Sequence, residues 1–190
     1  MRSDDIHTLP ADLPVPVDDG AAAHLVGMAL PALSLPSTGG RTVDLSALGP
    51  GPVVLYCYPR TGRPDRDPPA GWDLVPGARG CTPQSCAYRD HHGELRALGA
   101  QLFGVSTQDP AYQAEMAARL HLPFEVLSDE ALRLTAALGL PTLELDGWTL
   151  LRRLTMVARG GRIEKVFYPV FPPDADAGRV LAWLRGAAAD

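Results

Sequence analysis

The chain alternates between short continuous apolar runs and segments in which apolar residues recur at helical spacing. The clearest run, 52–59, predicts a strand that is buried on both faces, as in the middle of a mainly parallel sheet. Two alternating segments, 33–36 and 42–45, flank a Ser-Thr-Gly-Gly-Arg turn cluster and predict a β-hairpin near the N-terminus. Further strands are predicted at 101–106, 124–128, 150–157 and 162–168, and helices at 81–99, 109–121, 129–138 and 174–184.

This order of elements predicts an α/β protein with a central mixed sheet flanked by helices and an N-terminal β-hairpin. We expect an extended N-terminal segment at 1–24, rich in Pro and Asp, followed by one domain at 25–190. Inside that domain, 60–78 is predicted to be an inserted loop before the helix at 81–99. Because a loop of this length is often functional, we expect its one large apolar side chain, Trp72, to cover a wall of a pocket.

Composition narrows the functional classes. The chain has 190 residues, 46% of them hydrophobic, and a net charge of -5, which gives no reason to expect nucleic acid or an anionic membrane as a partner. Three cysteines are too few for a disulfide scaffold and fit a reducing compartment with catalytic or metal use. The N-terminus is acidic and has no apolar signal region, so we expect a cytoplasmic protein.

Two of the cysteines lie in the stretch 80–86, Gly-Cys-Thr-Pro-Gln-Ser-Cys. Pro83 is tolerated only in a first helical turn, so Cys81 is predicted at a helix N-terminus, where a cysteine tends to be a nucleophilic thiolate. On an ideal helix Cys86 would have its Cα roughly 8.7 Å from that of Cys81, beyond the roughly 7 Å limit for a disulfide. The two cysteines can therefore bond only if the first turn unwinds.

Several of these stretches resemble one family. The stretch 27–58 resembles the opening of a peroxiredoxin, and 80–86 resembles the cysteine centre of its bacterioferritin-comigratory, or peroxiredoxin Q, branch. The stretches 102–106 and 122–129 resemble the next two strands, and 153–157 resembles the family's Arg-x-Thr strand. The resemblance spans about residues 25 to 185. It implies a thioredoxin-like fold, which a strand, a loop and a helix beginning at a cysteine also match.

The resemblance further implies a thiol-dependent peroxidase that reduces hydrogen peroxide and organic hydroperoxides. Cys81 would be the peroxidatic cysteine, and Cys86 the resolving cysteine of an intramolecular disulfide. A thioredoxin or a similar dithiol would reduce that disulfide. Arg153 would lie near Cys81 and favour its thiolate with a permanent positive charge. No cofactor or metal is implied, and we expect a monomer.

The chain departs from the family's Pro-x-x-x-Thr-x-x-Cys pattern. The threonine position is Ala78, which has no hydroxyl, so Thr82 or Thr61 is expected to supply one if any residue does. The family's proline is expected to be Pro59, which lies 22 residues before Cys81 (81 − 59) because of the inserted loop, or else Pro76. In addition, Gln84 stands where this branch often has Glu.

Other classes stay open from the residues alone. Cys81, Cys86, His91 and His92 could be written as a metal set, although their spacing differs from the usual zinc patterns. The fold could also carry a thiol–disulfide oxidoreductase, which normally uses Cys-x-x-Cys, or a redox sensor with weak turnover. Three residues are expected to be ordinary core residues: Cys57, Trp148 and Trp183.

Overall fold

A computed structural model describes residues 9–187 of the chain; parts of the predicted N-terminal segment and of the C-terminus therefore lie outside the described residues. The strands of the described part are β1 Ser34–Pro36, β2 Thr42–Asp44, β3 Pro52–Cys57, β4 Gln101–Ser106, β5 Glu125–Ser128, β6 Thr142–Leu145, β7 Trp148–Leu151, β8 Leu154–Arg159 and β9 Arg162–Phe167. Its α-helices are α1 Cys81–Ala97, α2 Pro110–Arg119, α3 Arg133–Leu138 and α4 Asp176–Ala187.

The central sheet has five strands in the order β5-β4-β3-β8-β9. Strand β3 runs parallel to β4 and antiparallel to β8, and β4 runs parallel to β5. Strands β8 and β9 close the far edge as an antiparallel hairpin, while β1 and β2 form a separate antiparallel pair. This arrangement confirms the predicted α/β class, the mixed sheet and the N-terminal hairpin.

Successive residues of β3 feed two hydrophobic cores. Val53, Leu55 and Cys57 join a cluster that includes residues of the β1–β2 hairpin and α3, whereas Val54 and Tyr56 join a cluster with residues of α1, α2 and α4. Side chains alternate across a strand, so each face of β3 needs its own cover. All six residues of β3 are buried, as the uninterrupted apolar run predicts.

Helix α1 begins where the sequence predicts. Gly80 precedes it with φ of 101°, a left-handed conformation that side chains rarely adopt. A Cβ at this position would lie 2.6 Å from Cγ of Pro173 and 2.7 Å from Cδ2 of Leu9, so the site also lacks room for one. Both the positive φ and the lack of space for a Cβ therefore favour glycine immediately before the helix, and Cys81 is the first helical residue.

One predicted strand is wrong. The segment 150–157 is not continuous, because β7 ends at Leu151 and β8 starts at Leu154. Strand β7 instead pairs with β6 as a two-stranded antiparallel sheet that the pattern did not predict. The chain changes direction at Arg152, whose backbone N–H donates to the carbonyl of Pro141 at 2.8 Å. The break turns Arg153 into the protein, where its side chain is 3% exposed.

Helix α3 is shorter than the predicted 129–138. It starts at Arg133, and Asp129 lies before it in the chain, where its side chain caps the first turn. The Asp129 carboxylate accepts from the backbone N–H of Leu134 at 2.9 Å and of Thr135 at 2.8 Å. A side-chain cap of this kind satisfies helix N–H groups that have no backbone partner.

Trp148 is not the core residue that the sequence suggested. It is 38% exposed, and its ring lies against the guanidinium of Arg60, with 3.9 Å from Cζ to the ring centroid. Trp183, in contrast, packs partly buried against the core under α1 and α4. In residues 9–187, no helix is both long enough and apolar enough to cross a bilayer.

Candidate active site

Cys81 lies at the N-terminus of α1 and at the edge of the core beneath the helices. It is a free thiol, 3% exposed, and its Sγ lies 3.5 Å from the carbonyl oxygen of Ala78. The backbone N–H groups of a first helical turn have no helical partner, so they favour an anion at this end of the helix. The prediction for the position of Cys81 in the helix therefore holds.

Arg153 reaches Cys81 from the break between β7 and β8. Its Nη2 lies 3.2 Å from Sγ of Cys81 and 3.1 Å from each carbonyl oxygen of Gly77, Ala78 and Arg79. One nitrogen with two hydrogens thus faces four acceptors, and the sulfur competes with carbonyl oxygens for the donor. A negatively charged sulfur is the stronger competitor, because hydrogen bonds between charged groups are about twice as strong as neutral ones.

Gln84 connects Arg153 to a buried carboxylate. Its Oε1 accepts from Nη1 of Arg153, and its Nε2 donates to Oδ2 of Asp176 at 2.8 Å. The side chain is fully buried in the first turn of α1, three residues after Cys81. Gln84 is therefore a neutral bridge between a buried cation and a buried anion.

Asp176, the first residue of α4, is the anion of this network. Its Oδ2 also accepts from the hydroxyls of Tyr88 at 2.8 Å and Thr155 at 2.7 Å, while Oδ1 has no hydrogen-bond partner among the described residues. Burial raises the pKa of Asp176, against the lowering effect of its hydrogen bonds to Thr155, Gln84 and Tyr88. The carboxylate ties α1, β8 and α4 together directly behind the cysteine.

The two other cysteines have different environments. Cys86 lies in α1, is half-buried and is a free thiol. Burial is the largest cause that raises its pKa, partly offset by the guanidinium of Arg89. Cys57 is fully buried among apolar residues, and burial raises the pKa of its thiol far above the ordinary value. Cys57 belongs to the opposite core and stays a structural residue, as predicted.

The other residues predicted for the site lie in different surroundings. Thr82 is buried in the first turn of α1, next to Cys81, and Pro59 is buried just after β3. The hydroxyl of Thr61 bonds Oε1 of Gln108 at 3.1 Å, so Thr61 belongs to a neighbouring network. At Ala78 the chain offers a backbone carbonyl to both Arg153 and the sulfur.

Residues of the inserted loop line two cavities of the domain. Trp72 is 7% exposed and packs in a small cluster with Ala78 and Leu150. Trp72 itself lines one cavity, and residues 75–77 line another, beside Arg153. The expected covering of a pocket wall by Trp72 is thus present at its own cavity, and residues 75–77 of the same loop cover the one beside Arg153.

Sequence reasoning missed Asp176 and the importance of Gln84. An acidic residue at the start of a helix is usually an exposed favourable charge at the positive end of the dipole, so nothing in the pattern marked Asp176 as buried. A signal was available in β8, where Thr155 interrupts a run of buried apolar residues. A polar residue in a buried strand indicates a polar partner facing it.

The alternative metal set does not assemble. Within residues 9–187 no group of three or more His, Cys, Asp and Glu side chains is placed to hold a metal ion. His91 instead contacts Glu94 at 2.8 Å, and the ring of His92 lies 5.8 Å from that of Phe124. Each histidine thus has a local partner of its own, away from the sulfur of Cys81.

Comparison with known proteins gives consistent similarities. A family model described as Redoxin matches residues 25–181. Peroxiredoxin Q, chloroplastic, from Oryza sativa subsp. japonica is 31% identical over 84% of this chain and 66% of the rice protein, so the chain spans about two thirds of that relative. The protein of the same name from Populus jackii is 30% identical, over 84% of this chain and 67% of that protein.

Solved structures agree with the sequence relatives. The crystal structure of peroxidoxin BcpB from Mycobacterium tuberculosis is similar at a TM-score of 0.68 and 29% identity, covering 85% of this chain and 96% of that one. A structure of Xanthomonas campestris peroxiredoxin Q is similar at a TM-score of 0.66 and 23% identity, covering 93% of this chain and 98% of that one. The overall fold is thus the thioredoxin-like fold of these structures.

Proposed function

Since this chain belongs to the redoxin family, with peroxiredoxin Q proteins among its relatives, we propose that it is a thiol peroxidase. The observation that carries the proposal is the distance of 3.2 Å between Nη2 of Arg153 and Sγ of Cys81 at a helix N-terminus. A fixed positive charge and unpaired backbone N–H groups together favour a sulfur anion, the reactive form of cysteine. Hydrogen peroxide and organic hydroperoxides are the proposed substrates.

In the first step the Cys81 thiolate attacks the terminal oxygen of the hydroperoxide. The S–O bond forms as the O–O bond breaks, so the sulfur is oxidised to a sulfenic acid, and the departing alkoxide or hydroxide takes a proton from water. Arg153 holds the two peroxide oxygens and the sulfur close to one positive charge throughout the displacement. Thr82 and Pro59 are proposed to shape the space around the sulfur.

In the second step Cys86 resolves the sulfenic acid. Its thiolate attacks the Cys81 sulfur, the S–S bond forms, and the sulfenic hydroxyl leaves with a proton as water. The two cysteines lie in one helix, five residues apart, so the first turn of α1 must unwind before they meet. The hydrogen bonds of Gln84 with Arg153 and Asp176 are among those that unwinding breaks.

A dithiol then restores the enzyme. Two exchange steps move the two electrons of a thioredoxin-type protein to the Cys81–Cys86 disulfide and leave the reductant oxidised. The net reaction converts one hydroperoxide and one dithiol into an alcohol, water and one disulfide. A cytoplasmic location, which we also propose, would supply such a reductant.

Trapping of the intermediate tests the proposal. In Cys86→Ser, one equivalent of hydrogen peroxide should leave a sulfenic acid at Cys81 that dimedone labels, since no resolving thiol is present. In Cys81→Ser, dimedone should label nothing, and peroxide consumption coupled to thioredoxin should stop. Cys57→Ala is the matched control and should keep both labelling and turnover. Normal peroxide consumption by Cys81→Ser would refute the assignment.

A redox sensor with slow turnover is the second candidate. Two observations favour it: Ala78 offers no hydroxyl toward the sulfur, and Cys81 is only 3% exposed. Sulfenic acid formation at Cys81 with little steady-state peroxide consumption would select the sensor. Reduction of insulin disulfides without any reaction with hydrogen peroxide would instead indicate a thiol–disulfide oxidoreductase.

A further inference from the structure

The N-terminal strap, residues 9–19, lies across the loop that leads into α1. At Gly80 an added Cβ would meet Leu9 at 2.7 Å, and at Gly77 it would meet Pro16 at 3.6 Å. The strap therefore packs directly on the segment 77–80, whose carbonyl groups bond Arg153.

The far end of the strap is fastened to the domain by Asp19. Its carboxylate receives hydrogen bonds from Nη1 of Arg152 at 2.6 Å and from the hydroxyl of Tyr168 at 2.9 Å. Arg152 and Asp19 are both about half exposed, at 42% and 44% of their side-chain areas. Contacts of this kind are individually weak, but they fix the position of the chain between two ends.

A cavity of about 370 Å³ opens between the strap and the domain. Its lining is mainly apolar and includes Val15, Val17, Val75, Leu143 and Val170. Val15 and Val17 are 62% and 80% exposed, so part of each side chain is available to a ligand. Small-molecule sites are typically concave and apolar, with a few polar groups that orient the ligand.

Arg153 joins this cavity to the reactive sulfur. It is one of the lining residues, and its Nη2 lies 3.1 Å from the carbonyl oxygen of Gly77, which also lines the cavity. The same nitrogen lies 3.2 Å from Sγ of Cys81. A ligand with its apolar part in the cavity would therefore direct a polar end toward the guanidinium next to the sulfur.

We propose that the cavity under the N-terminal strap binds the hydrocarbon part of an organic hydroperoxide while Arg153 holds its peroxide group. This inference rests on the proposed function and specifies which substrates it favours. Hydrogen peroxide has no hydrocarbon part and gains nothing from an apolar wall, so the cavity distinguishes the two substrate types. The peroxide oxygens follow the displacement at Cys81 described above, and the product alcohol is left in the cavity.

A comparison of two peroxides tests the proposal. In the full chain, kcat/KM is measured for cumene hydroperoxide and for hydrogen peroxide with the same dithiol reductant. The double variant Val15→Ser/Val17→Ser removes apolar wall from two exposed positions, so it should fold normally. It should lower kcat/KM for cumene hydroperoxide about tenfold, because burying apolar groups supplies the binding energy. The value for hydrogen peroxide should stay unchanged.

Two further variants sharpen the test. Leu143→Trp adds bulk from the opposite wall and should also affect only the organic peroxide. Val26→Ser, at a 56% exposed position outside the cavity, is the matched control and should change neither value. Equal values of the wild type and the variants for cumene hydroperoxide, or equal losses for both peroxides, would overturn the proposal.

Product binding separates this inference from the proposed function. Cumyl alcohol should bind the Cys81→Ser variant, and the double valine variant built on it should bind the alcohol about tenfold more weakly, as measured by calorimetry. If the wild type reduces both peroxides and the double valine variant changes neither value, the role of the cavity is overturned and the proposed function is not. A wild type that consumes neither peroxide overturns the proposed function, and the substrate role of the cavity with it.

Discussion

Replacement of Gln84 by alanine should speed the formation of the Cys81–Cys86 disulfide. In the folded helix Gln84 accepts from Arg153 and donates to Asp176, and both partners are charged and buried. Unwinding of the first turn breaks both bonds before Cys86 can reach Cys81. In the alanine variant these bonds are already absent from the folded helix, so unwinding the first turn costs less free energy than in the wild type.

The structure sets the size of this effect. A hydrogen bond to a charged group is worth about 1.5 to 3 kcal/mol, and Gln84 makes two. Arg153 and Asp176 retain other partners, so we take about 3 kcal/mol as the total. Each 1.4 kcal/mol is about a tenfold change in an equilibrium, so unwinding should become about a hundredfold more favourable. The observed rate should rise by about tenfold or more until the chemical step limits it.

Rapid mixing measures this rate. The reduced protein is mixed with one equivalent of peroxide, quenched with acid at set times and alkylated, and mass spectrometry then follows sulfenic acid and disulfide separately. Faster resolution should also leave less sulfinic acid at Cys81 under excess peroxide, because the sulfenic acid lives for a shorter time.

Gln113→Ala is the matched control. Gln113 is also fully buried, and its Nε2 donates to Ser106 and Leu127, but it lies in α2 and touches neither cysteine. Its loss should lower the free energy of unfolding by a comparable amount without changing the rate of disulfide formation. A Gln84→Ala variant that forms sulfenic acid normally, yet makes the disulfide no faster than the wild type, would refute the reasoning.

Three further predictions follow from the same contacts. Arg153→Lys should lower the rate of Cys81 oxidation about a hundredfold in stopped-flow assays, since an ammonium cannot reproduce the forked contacts of a guanidinium; wild-type rates would contradict this. Gly80→Ala should lower the free energy of unfolding by about 2 kcal/mol or more in urea titrations, because φ is positive there and Pro173 leaves no room for a Cβ. The control Gly93→Ala, at a helical position with open space around it, should raise the free energy of unfolding by about 0.5 to 1 kcal/mol. Burial raises the pKa of Asp176, so the folded state binds this proton more tightly than the unfolded state. The free energy of unfolding of the wild type should therefore fall relative to that of Asp176→Asn as the pH rises from about 4 through the raised pKa. Above the raised pKa the difference between the two proteins should stay constant. A difference that does not change with pH would contradict the assignment.

Local patterns were sufficient for the elements that build the site. The apolar run of β3 and the Gly-Cys-Thr-Pro start of α1 depend on rules that act over a few residues, and both appear where the sequence places them. Helix α2 also begins where the sequence predicts, with the Asp109 side chain accepting from the backbone N–H of Tyr112.

Features that depend on distant contacts were not predictable in this way. The β6–β7 hairpin takes residues from what looks like one long strand, because pairing with a second segment decides where β7 ends. Asp176 is buried only because Tyr88 and Thr155 approach it from other elements. The strap has no regular pattern in the sequence, and its contact through Leu9 depends on the absence of a Cβ at Gly80.

Peptide mapping after oxidation tests the central claim most directly. The reduced wild type is treated with one equivalent of hydrogen peroxide, the remaining thiols are alkylated, and the digest is analysed by mass spectrometry without reduction. We predict a peptide that contains an intramolecular disulfide between Cys81 and Cys86, with Cys57 fully alkylated after unfolding. A protein whose Cys81 remains a free thiol after the peroxide has been consumed would contradict the account.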